Sequence, residues 1–335
     1  MKNINKIIII VFIVFSFHAP LDSLAGTVLK TAVVMPEGST WTKILHEMTD
    51  EVAQKTDGAV AFQVYAGGIS GDEPDVIRKM RVNRIQAAGF SGIGMGVIVP
   101  EVRVLESVLL FRDHNEVDRV RAAFFEDLSG RFDAKGYVLL GFFEAGFTYI
   151  YSSKPVERVA DLKQTKMWIW KGDEIAARYV SALGMEAVPL HMTDVNTGLE
   201  TGLIDGFYAP PLAAIALQWY ARVSHVLDYP LVNSCGGFIV SKRAFGQLSA
   251  AHQEVLREVV KDYCAKLVTT TRVENTQAKA IMQAAGLTFA VPTQEVKTYL
   301  HSAAEAAAVK NMPAIYSREL YERVSAVAAE GRTTP

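Results

Sequence analysis

Residues 161–210, DLKQTKMWIWKGDEIAARYVSALGMEAVPLHMTDVNTGLETGLIDGFYAP, form the stretch that decides the fold. The apolar run Lys166–Trp170 predicts a strand, the segment 174–183 has helical spacing, and 185–190 predicts a second strand. A further helix is predicted at 194–202, with Thr193 as its cap. This order of strand, helix and strand is typical of an α/β unit with a largely parallel sheet.

The same alternation extends toward both ends of the chain. Further strands are predicted at 27–35, 59–65, 85–91, 136–143, 147–153 and 238–242. Ser39 or Thr40 is expected to cap a helix after the first strand, and Asn115 to cap a later one. A Gly-rich turn is expected at 91–96. We therefore predict two α/β units, the second of which begins near residue 147.

A long helix is predicted near the C-terminus. Residues 249–285 contain neither glycine nor proline, and their apolar residues keep a helical stripe. A helix of this length exceeds the usual range of about 8–20 residues, which favours a strut that links the two units. Two more helices are expected between residues 293 and 329, on either side of Pro313.

The N-terminus has the pattern of a secretory signal peptide. Lys2 and Lys6 precede the apolar run at 7–17, and small residues at 23–25 give a cleavage site after Ala25. The alternative is a membrane anchor, but the run is shorter than the roughly 20 apolar residues that a span needs. We therefore predict export to the periplasm.

Composition and charge exclude several classes of function. The chain has 34 Lys and Arg against 36 Asp and Glu, so no nucleic-acid or anionic-membrane surface is indicated. No CxxC or HExxH spacing predicts a metal site, and no cofactor is expected. The two cysteines, Cys235 and Cys264, either pair or lie as separately buried thiols.

Several short motifs follow one another along the chain. They are GISGDE at 68–73, PE at 100–101, LLFRD at 109–113, SKPV at 153–156, DLK at 161–163, GMEAVP at 184–189, TDV at 193–195 and GLIDG at 202–206. Each motif alone is weak. Together, in this order and at these spacings, they resemble the signature of TRAP-transporter solute-binding proteins of the DctP family. The resemblance covers almost the whole chain after residue 25.

This resemblance implies a two-domain periplasmic-binding-protein fold of the α/β class, with a ligand cleft between the domains and a long domain-spanning helix. Domain I is expected to comprise 26–145 plus 235–274, and domain II 146–234 plus 275–335. The implied function is that of an extracytoplasmic receptor, not an enzyme, which delivers a small molecule to the TRAP membrane permease subunits.

The chain departs from the family pattern on the ligand side. Trp168 replaces the arginine that pairs with the substrate carboxylate in the family, and Thr148 aligns with a second cleft arginine. Ala209 stands where an amide often contacts the ligand, while Ser91 and Met192 align with further contact positions. The scaffold motifs are kept, but most polar ligand contacts are replaced by less polar residues.

These departures predict an apolar cleft. Strand alternation places Trp168 and Trp170 on one face, together with Lys166. The predicted ligand-binding residues are Phe90, Ser91, Met95, Phe147, Thr148, Trp168, Trp170, Met192, Phe207, Tyr208 and Ala209. Large aromatic side chains each bury about 150–250 Å², whereas a carboxylate enclosed without a cation loses hydration worth several kcal/mol. We therefore predict a hydrophobic or uncharged ligand.

Other interpretations stay open. Trp168 and Trp170 could be core residues, and Lys166 or Lys171 could supply the cation of a conventional receptor for organic acids such as C4-dicarboxylates. An enzyme is a third alternative, for which only His191, near a helix cap, is a candidate, without a supporting motif. The altered cleft also resembles the branch of the family that works with a tetratricopeptide-repeat periplasmic partner.

Overall fold

The computed structural model describes residues 26–332, so the predicted signal peptide lies outside the described residues. Nine strands form one sheet in the order β2-β1-β3-β8-β4-β7-β5-β6, with β9 paired to β8. The strands are β1 (Thr27–Val33), β2 (Val60–Tyr65), β3 (Ala87–Ser91), β4 (Tyr137–Ser152), β5 (Lys166–Trp170), β6 (Glu186–Leu190), β7 (Gly206–Ala209), β8 (His225–Ser241) and β9 (Thr288–Ala290). The mixed α/β class is thereby confirmed.

Helices surround this sheet. They are α1 (Thr40–Lys55), α2 (Glu73–Arg81), α3 (Gly92–Ile98), α4 (His114–Ala134), α5 (Val159–Lys163), α6 (Glu174–Ala182), α7 (Val195–Thr201), α8 (Pro211–Ala216), α9 (Lys242–Phe245), α10 (Ala250–Ala284), α11 (Gln294–Asn311) and α12 (Arg318–Ala329). Short 3-10 helices occupy Pro100–Glu106, Met192–Asp194 and Trp219–Arg222. Within residues 26–332, no helix combines the length and the apolarity that a membrane span requires.

Two long antiparallel strands, β4 and β8, run through the middle of the sheet. Their register extends from Tyr137 opposite Ser241 to Ser152 opposite His225. The strands predicted separately at 136–143 and 147–153 are therefore one strand of 16 residues. A bulge at Gly146, whose φ is +109°, interrupts the alternation there and explains why the sequence pattern broke.

The sheet has a parallel region on each side of this central pair. β1 pairs in parallel with β2 and β3 next to β8, and β5 pairs in parallel with β6 and β7 next to β4. The domain boundaries predicted at 145/146 and 234/235 fall inside β4 and β8. The division into two domains therefore stays a prediction, because the two parts share one continuous sheet.

Helix α10 has 35 residues and packs against β4, α1 and α8, as expected for the predicted long helix. Ser249 caps its first turn by accepting a hydrogen bond from the His252 backbone amide. Its Arg272 donates to the fully buried Glu144 of β4 at 2.8 Å. Arg121 of α4 lies 2.8 Å from the same carboxylate, so three elements meet at one buried charge.

Three local predictions were wrong. The Gly-rich segment is not a turn but helix α3, which the Ser91 side chain caps. Its glycines are needed because a Cβ at Gly92 or Gly94 would collide with a glutamate side chain packed against the helix. Helix α4 is capped by Asp113 rather than Asn115, and α7 begins after Asp194 rather than after Thr193.

Candidate functional site

A cavity of about 170 Å³ lies beside the middle of the sheet. Its wall comes from the ends of β1 and β3, from β4, β5, β7 and β8, and from α1, α8 and α10. The carboxyl ends of parallel strands are a common place for ligands in α/β sheets. Most of the lining is apolar. It has nine aromatic residues and the aliphatic residues Val33, Val34, Met35, Ile44, Leu45, Met48, Ala145, Met192, Ala209, Pro210, Ala213, Leu217 and Leu267.

All four tryptophans of the chain, Trp41, Trp168, Trp170 and Trp219, line this cavity. Neither Trp41 nor Trp219 is among the residues that the sequence predicts to bind the ligand. One signal was available for Trp41, because it lies in the first turn of the helix that follows β1, where ligand contacts are common in this class of fold.

Trp168 lies at the centre of an aromatic cluster. Its ring centroid is 5.2 Å from that of Tyr208 and 6.4 Å from that of Trp170, both nearly parallel, and Trp219 meets it edge-on at 4.9 Å. Its indole Nε1 donates to the Leu190 carbonyl at 3.2 Å. Trp168 is therefore buried in the core and also lines the cavity. The interpretation as a core residue and the interpretation as a cleft residue are compatible.

Trp170 connects the cavity wall to Asp72, which lies outside the lining. Its Nε1 donates to Oδ2 of Asp72 at 2.9 Å, and the Nδ1 atom of His191 lies 2.9 Å from the same oxygen. Asp72 also caps α2 by accepting from the Glu73 amide. His191, the one residue considered for catalysis, is thus placed as a partner of Asp72 and lies outside the cavity lining.

Eight of the predicted ligand-binding residues line the cavity and three lie outside it. Those in the lining are Phe90, Ser91, Thr148, Trp168, Trp170, Met192, Tyr208 and Ala209. Phe147 instead packs on His114 at 5.1 Å, and Phe207 stacks on Tyr151 at 4.6 Å. Phe147 is the strand neighbour of the lining residue Thr148, so alternation turns it to the opposite face. Phe207 is fully buried and meets the lining residue Trp219 edge-on at 5.4 Å. Met95 is fully buried in the core under α3.

Within residues 26–332, the cavity lining contains no Lys, Arg or His. Lys166 and Lys171, the candidates for a relocated cation, are exposed at the surface. Among the residues that the structure describes, Glu73 is the one charged side chain in the lining. Its carboxyl group accepts hydrogen bonds of 2.7 Å from the Ser91 amide, the Ser91 hydroxyl and the Gly94 amide. Burial raises the pKa of Glu73 to about 7, against the opposing effect of these donors.

A second cavity of about 100 Å³ adjoins the first. The two share the lining residues Ser91, Thr148, Trp170, Tyr208 and Ser234. The second cavity is also largely apolar, with side chains such as Ile150, Met167, Val180 and Leu231. Unlike the first cavity, the second cavity is lined by a cluster of buried charged side chains of both signs.

Arg103 is the cation of that group. It lies 2.7 Å from Asp173 and 2.9 Å from Glu106, and all three side chains are almost completely buried. Tyr208 donates its hydroxyl hydrogen to Asp173 at 2.7 Å. Burial also raises the pKa of Glu106 to about 7, opposed by Arg103. The sequence pattern did not point to Arg103, although it lies two residues after the Pro-Glu motif at 100–101.

Cys235 and Cys264 are separate free thiols, and both line the first cavity. Burial raises the pKa of each to about 12, so neither is a reactive thiolate near neutral pH. The pairing that the sequence left open is absent from the structure. Among the described residues, no group of three or more His, Cys, Asp or Glu is arranged to hold a metal ion.

The α/β sheet with two long central strands, a long helix packed across it and an apolar cavity is typical of solute-binding proteins. Comparison with known proteins identifies the family. The profile of the DctP family, described as "Bacterial extracellular solute-binding protein, family 7", matches residues 31–313. The chain therefore belongs to the DctP family of TRAP solute-binding proteins.

Individual relatives are distant in sequence but close in fold. A solute-binding protein of Chromohalobacter salexigens is 28% identical over 227 residues, 66% of each chain. The TRAP periplasmic solute-binding protein of Desulfovibrio desulfuricans, with bound sn-glycerol-3-phosphate, superposes with a TM-score of 0.85 at 21% identity, covering 92% of this chain and 98% of its own. The sugar-acid-binding protein DctPAm of Advenella mimigardefordensis, in complex with galactonate, has a TM-score of 0.84 at 22% identity, covering 91% and 98%.

Proposed function

We propose that this member of the family is a periplasmic receptor for a hydrophobic or uncharged small molecule, which it passes to TRAP permease subunits in the membrane. The observation that carries the proposal is the lining of the 170 Å³ cavity. It gathers four tryptophans and lacks a basic side chain within residues 26–332. The receptor role follows from the family, and the ligand class follows from the chemistry of the wall.

The physical argument compares two free energies. A ligand that covers aromatic and aliphatic surface gains about 25 cal/mol for each Å² of apolar area removed from water. A carboxylate or phosphate in the same place loses several kcal/mol of hydration, and the lining offers no cation to compensate. The Glu73 carboxyl adds repulsion whenever it is ionised. The relatives with bound glycerol phosphate and galactonate therefore support the role of solute receptor, but they do not support an acidic ligand for this chain.

The test is native mass spectrometry of the purified protein, followed by calorimetric titration with whatever compound is released. The proposal predicts an apolar compound that binds in a one-to-one ratio. A tightly bound organic acid or sugar acid would overturn it. Because all four tryptophans lie in the wall, a change in intrinsic fluorescence on binding gives an independent readout.

A receptor for organic acids with a relocated cation is the second candidate. It is favoured by the acidic ligands of the structural relatives and by Arg103, the buried cation that borders the adjoining cavity. Against it, Arg103 is already paired with Asp173 and Glu106. Under this candidate, Arg103→Met abolishes the binding of an acid, while alanine at the exposed Lys166 and Lys171 leaves it unchanged.

Two further elements of the proposal concern cellular context. Export depends on the signal peptide predicted at residues 1–25, and N-terminal sequencing of the mature protein should begin at Gly26.

The apolar wall also fits the branch of the family that uses a tetratricopeptide-repeat partner. Co-purification of such a protein from the native periplasm would support this assignment, and co-purification of permease subunits alone would count against it.

A further inference from the structure

The aromatic wall has an electrostatic character beyond its apolarity. Nine aromatic side chains line the first cavity, namely Trp41, Phe90, Phe143, Trp168, Trp170, Tyr208, Trp219, Phe238 and Tyr263. The face of an aromatic ring carries negative potential and attracts cations, most strongly for tryptophan. A wall with this many rings favours a positively charged apolar group over a neutral one of the same shape.

These rings are mostly free of the protein's own cations. Within residues 26–332, a basic side chain covers just one of the nine, where the Lys266 ammonium lies 5.2 Å from the Tyr263 centroid. Elsewhere the fold does place basic groups over rings, as with Arg257 over Phe245 at 4.6 Å and Lys279 over Tyr149 at 4.7 Å. No basic side chain of the described residues therefore competes for the tryptophan rings, although Trp168 itself stacks on Tyr208 and Trp170.

Glu73 supplies the matching charge. It is 1% exposed and is the one charged side chain in this lining among the described residues. An ionised carboxylate has about four acceptor positions, and the Ser91 and Gly94 donors occupy three of them. One acceptor position on Oε1 remains. A buried carboxylate that is not paired with a cation in the protein is one that a cationic ligand can compensate.

Three of the six polar aromatic residues in this lining already donate their hydrogen inside the protein. Trp168 donates to the Leu190 carbonyl, Trp170 donates to Asp72, and Tyr208 donates to Asp173. A sugar or an acid would need such donors, because its oxygens lose hydrogen bonds to water on entry. A quaternary or tertiary ammonium group needs few donors and is recognised by ring faces.

We propose that the ligand of this cavity is an apolar organic cation, held among the aromatic rings of the wall and beside the Glu73 carboxylate. This inference rests on the proposed function, since it specifies the hydrophobic ligand of the same cavity. The four tryptophans line the space that the ligand fills and attract its positive charge through cation–π interactions. The Glu73 carboxylate favours a positively charged ligand over a negatively charged one.

The experiment compares charged and neutral molecules of equal shape. Benzyltrimethylammonium and neopentylbenzene form one pair, and choline and 3,3-dimethyl-1-butanol form another. In each pair a quaternary nitrogen is replaced by carbon. Binding to the full mature protein is measured by calorimetry and by tryptophan fluorescence. The inference predicts that each cation binds at least tenfold more tightly than its neutral partner.

A matched variant separates charge from fold. Glu73→Gln should reduce the preference for the cation at least fivefold while leaving the affinity for the neutral partner nearly unchanged. If this variant does not fold, Trp219→Leu provides the second test, because losing one ring should weaken the cation more than the neutral molecule. The wild-type comparison needs no variant at all.

The outcomes distinguish this inference from the proposed function. Equal or tighter binding of the neutral molecules overturns the inference and leaves the apolar receptor in place. The absence of binding by every cation at millimolar concentration also overturns it. Tight binding of succinate or galactonate, by contrast, overturns the proposed function itself.

Discussion

The indole Nε1 of Trp170 donates a hydrogen bond of 2.9 Å to Oδ2 of Asp72, a residue 98 positions earlier in the chain. Asp72 belongs to the predicted domain I, and Trp170 to the predicted domain II. Because Trp170 also lines the cavity, this bond joins the cavity wall to the residue that caps α2. His191 reinforces it at the same oxygen.

We predict that Trp170→Phe shifts the protein toward an open form. A hydrogen bond to a charged acceptor contributes about 1.5–3 kcal/mol, so its loss should shift a closed–open equilibrium by roughly tenfold or more. Small-angle scattering of the ligand-free variant should give a larger radius of gyration than wild type. Trp168→Phe is the control, since its indole bonds Leu190 on the same side of the cavity. Equal scattering for all three proteins would contradict a closure role.

Arg103→Met should destabilise the protein strongly. The substitution leaves Asp173 and Glu106 buried without their cation, a situation that typically costs about 3–5 kcal/mol. Urea unfolding monitored by far-ultraviolet circular dichroism measures the change. Arg158→Met, which removes the exposed ion pair with Asp161, is the matched control and should unfold like wild type. A loss below about 1 kcal/mol in Arg103→Met would show that the network is solvated.

Glu73 should make stability depend on pH. Its pKa is about 7 in the folded protein against an ordinary value of 4.5. The folded state therefore holds the proton more tightly than the unfolded state. The contribution of this group to stability is complete below pH 4.5 and is lost as the pH rises to about 7. The total is roughly 3 kcal/mol, at 1.36 kcal/mol per pKa unit.

The measurement is the free energy of unfolding of wild type and Glu73→Gln between pH 4 and 8. The difference between the two curves isolates Glu73 from carboxylates such as Glu144, whose lowered pKa acts in the opposite direction. Wild type should lose stability relative to the variant as the pH rises. A constant difference would show that the carboxyl ionises with an unshifted pKa.

The two cysteines should resist modification in the folded protein. With pKa values of about 12, each is a thiolate in only about one molecule in ten thousand at pH 8. Ellman's reagent should titrate no thiol over several minutes in native buffer and two in guanidinium chloride. Rapid reaction of either thiol in the native state would show that the cavity admits a bulky anion, which would also weaken the proposal for its ligand.

Part of the candidate site follows from strand alternation and part does not. Alternation correctly paired Trp168 with Trp170, and the cavity contains both. It could not tell which face of β4 meets the cavity, so Phe147 was placed there with its neighbour Thr148. Phe207 was also placed there, but it is fully buried against Tyr151 and Trp219. The bulge at Gly146 resets the alternation of β4 just before Phe147, and no local pattern announces it.

The sequence by itself determined the family, much of the order of strands and helices, and the long helix. All of these depend on local periodicity or on motifs read in order. The tertiary structure alone decided that β4 and β8 are continuous, that Trp41 and Trp219 complete the wall, and that Arg103 is buried among acids beside it. The physical reason is that these residues come from distant segments that meet only when the chain folds. Their spacing in the sequence therefore does not predict that they are in contact.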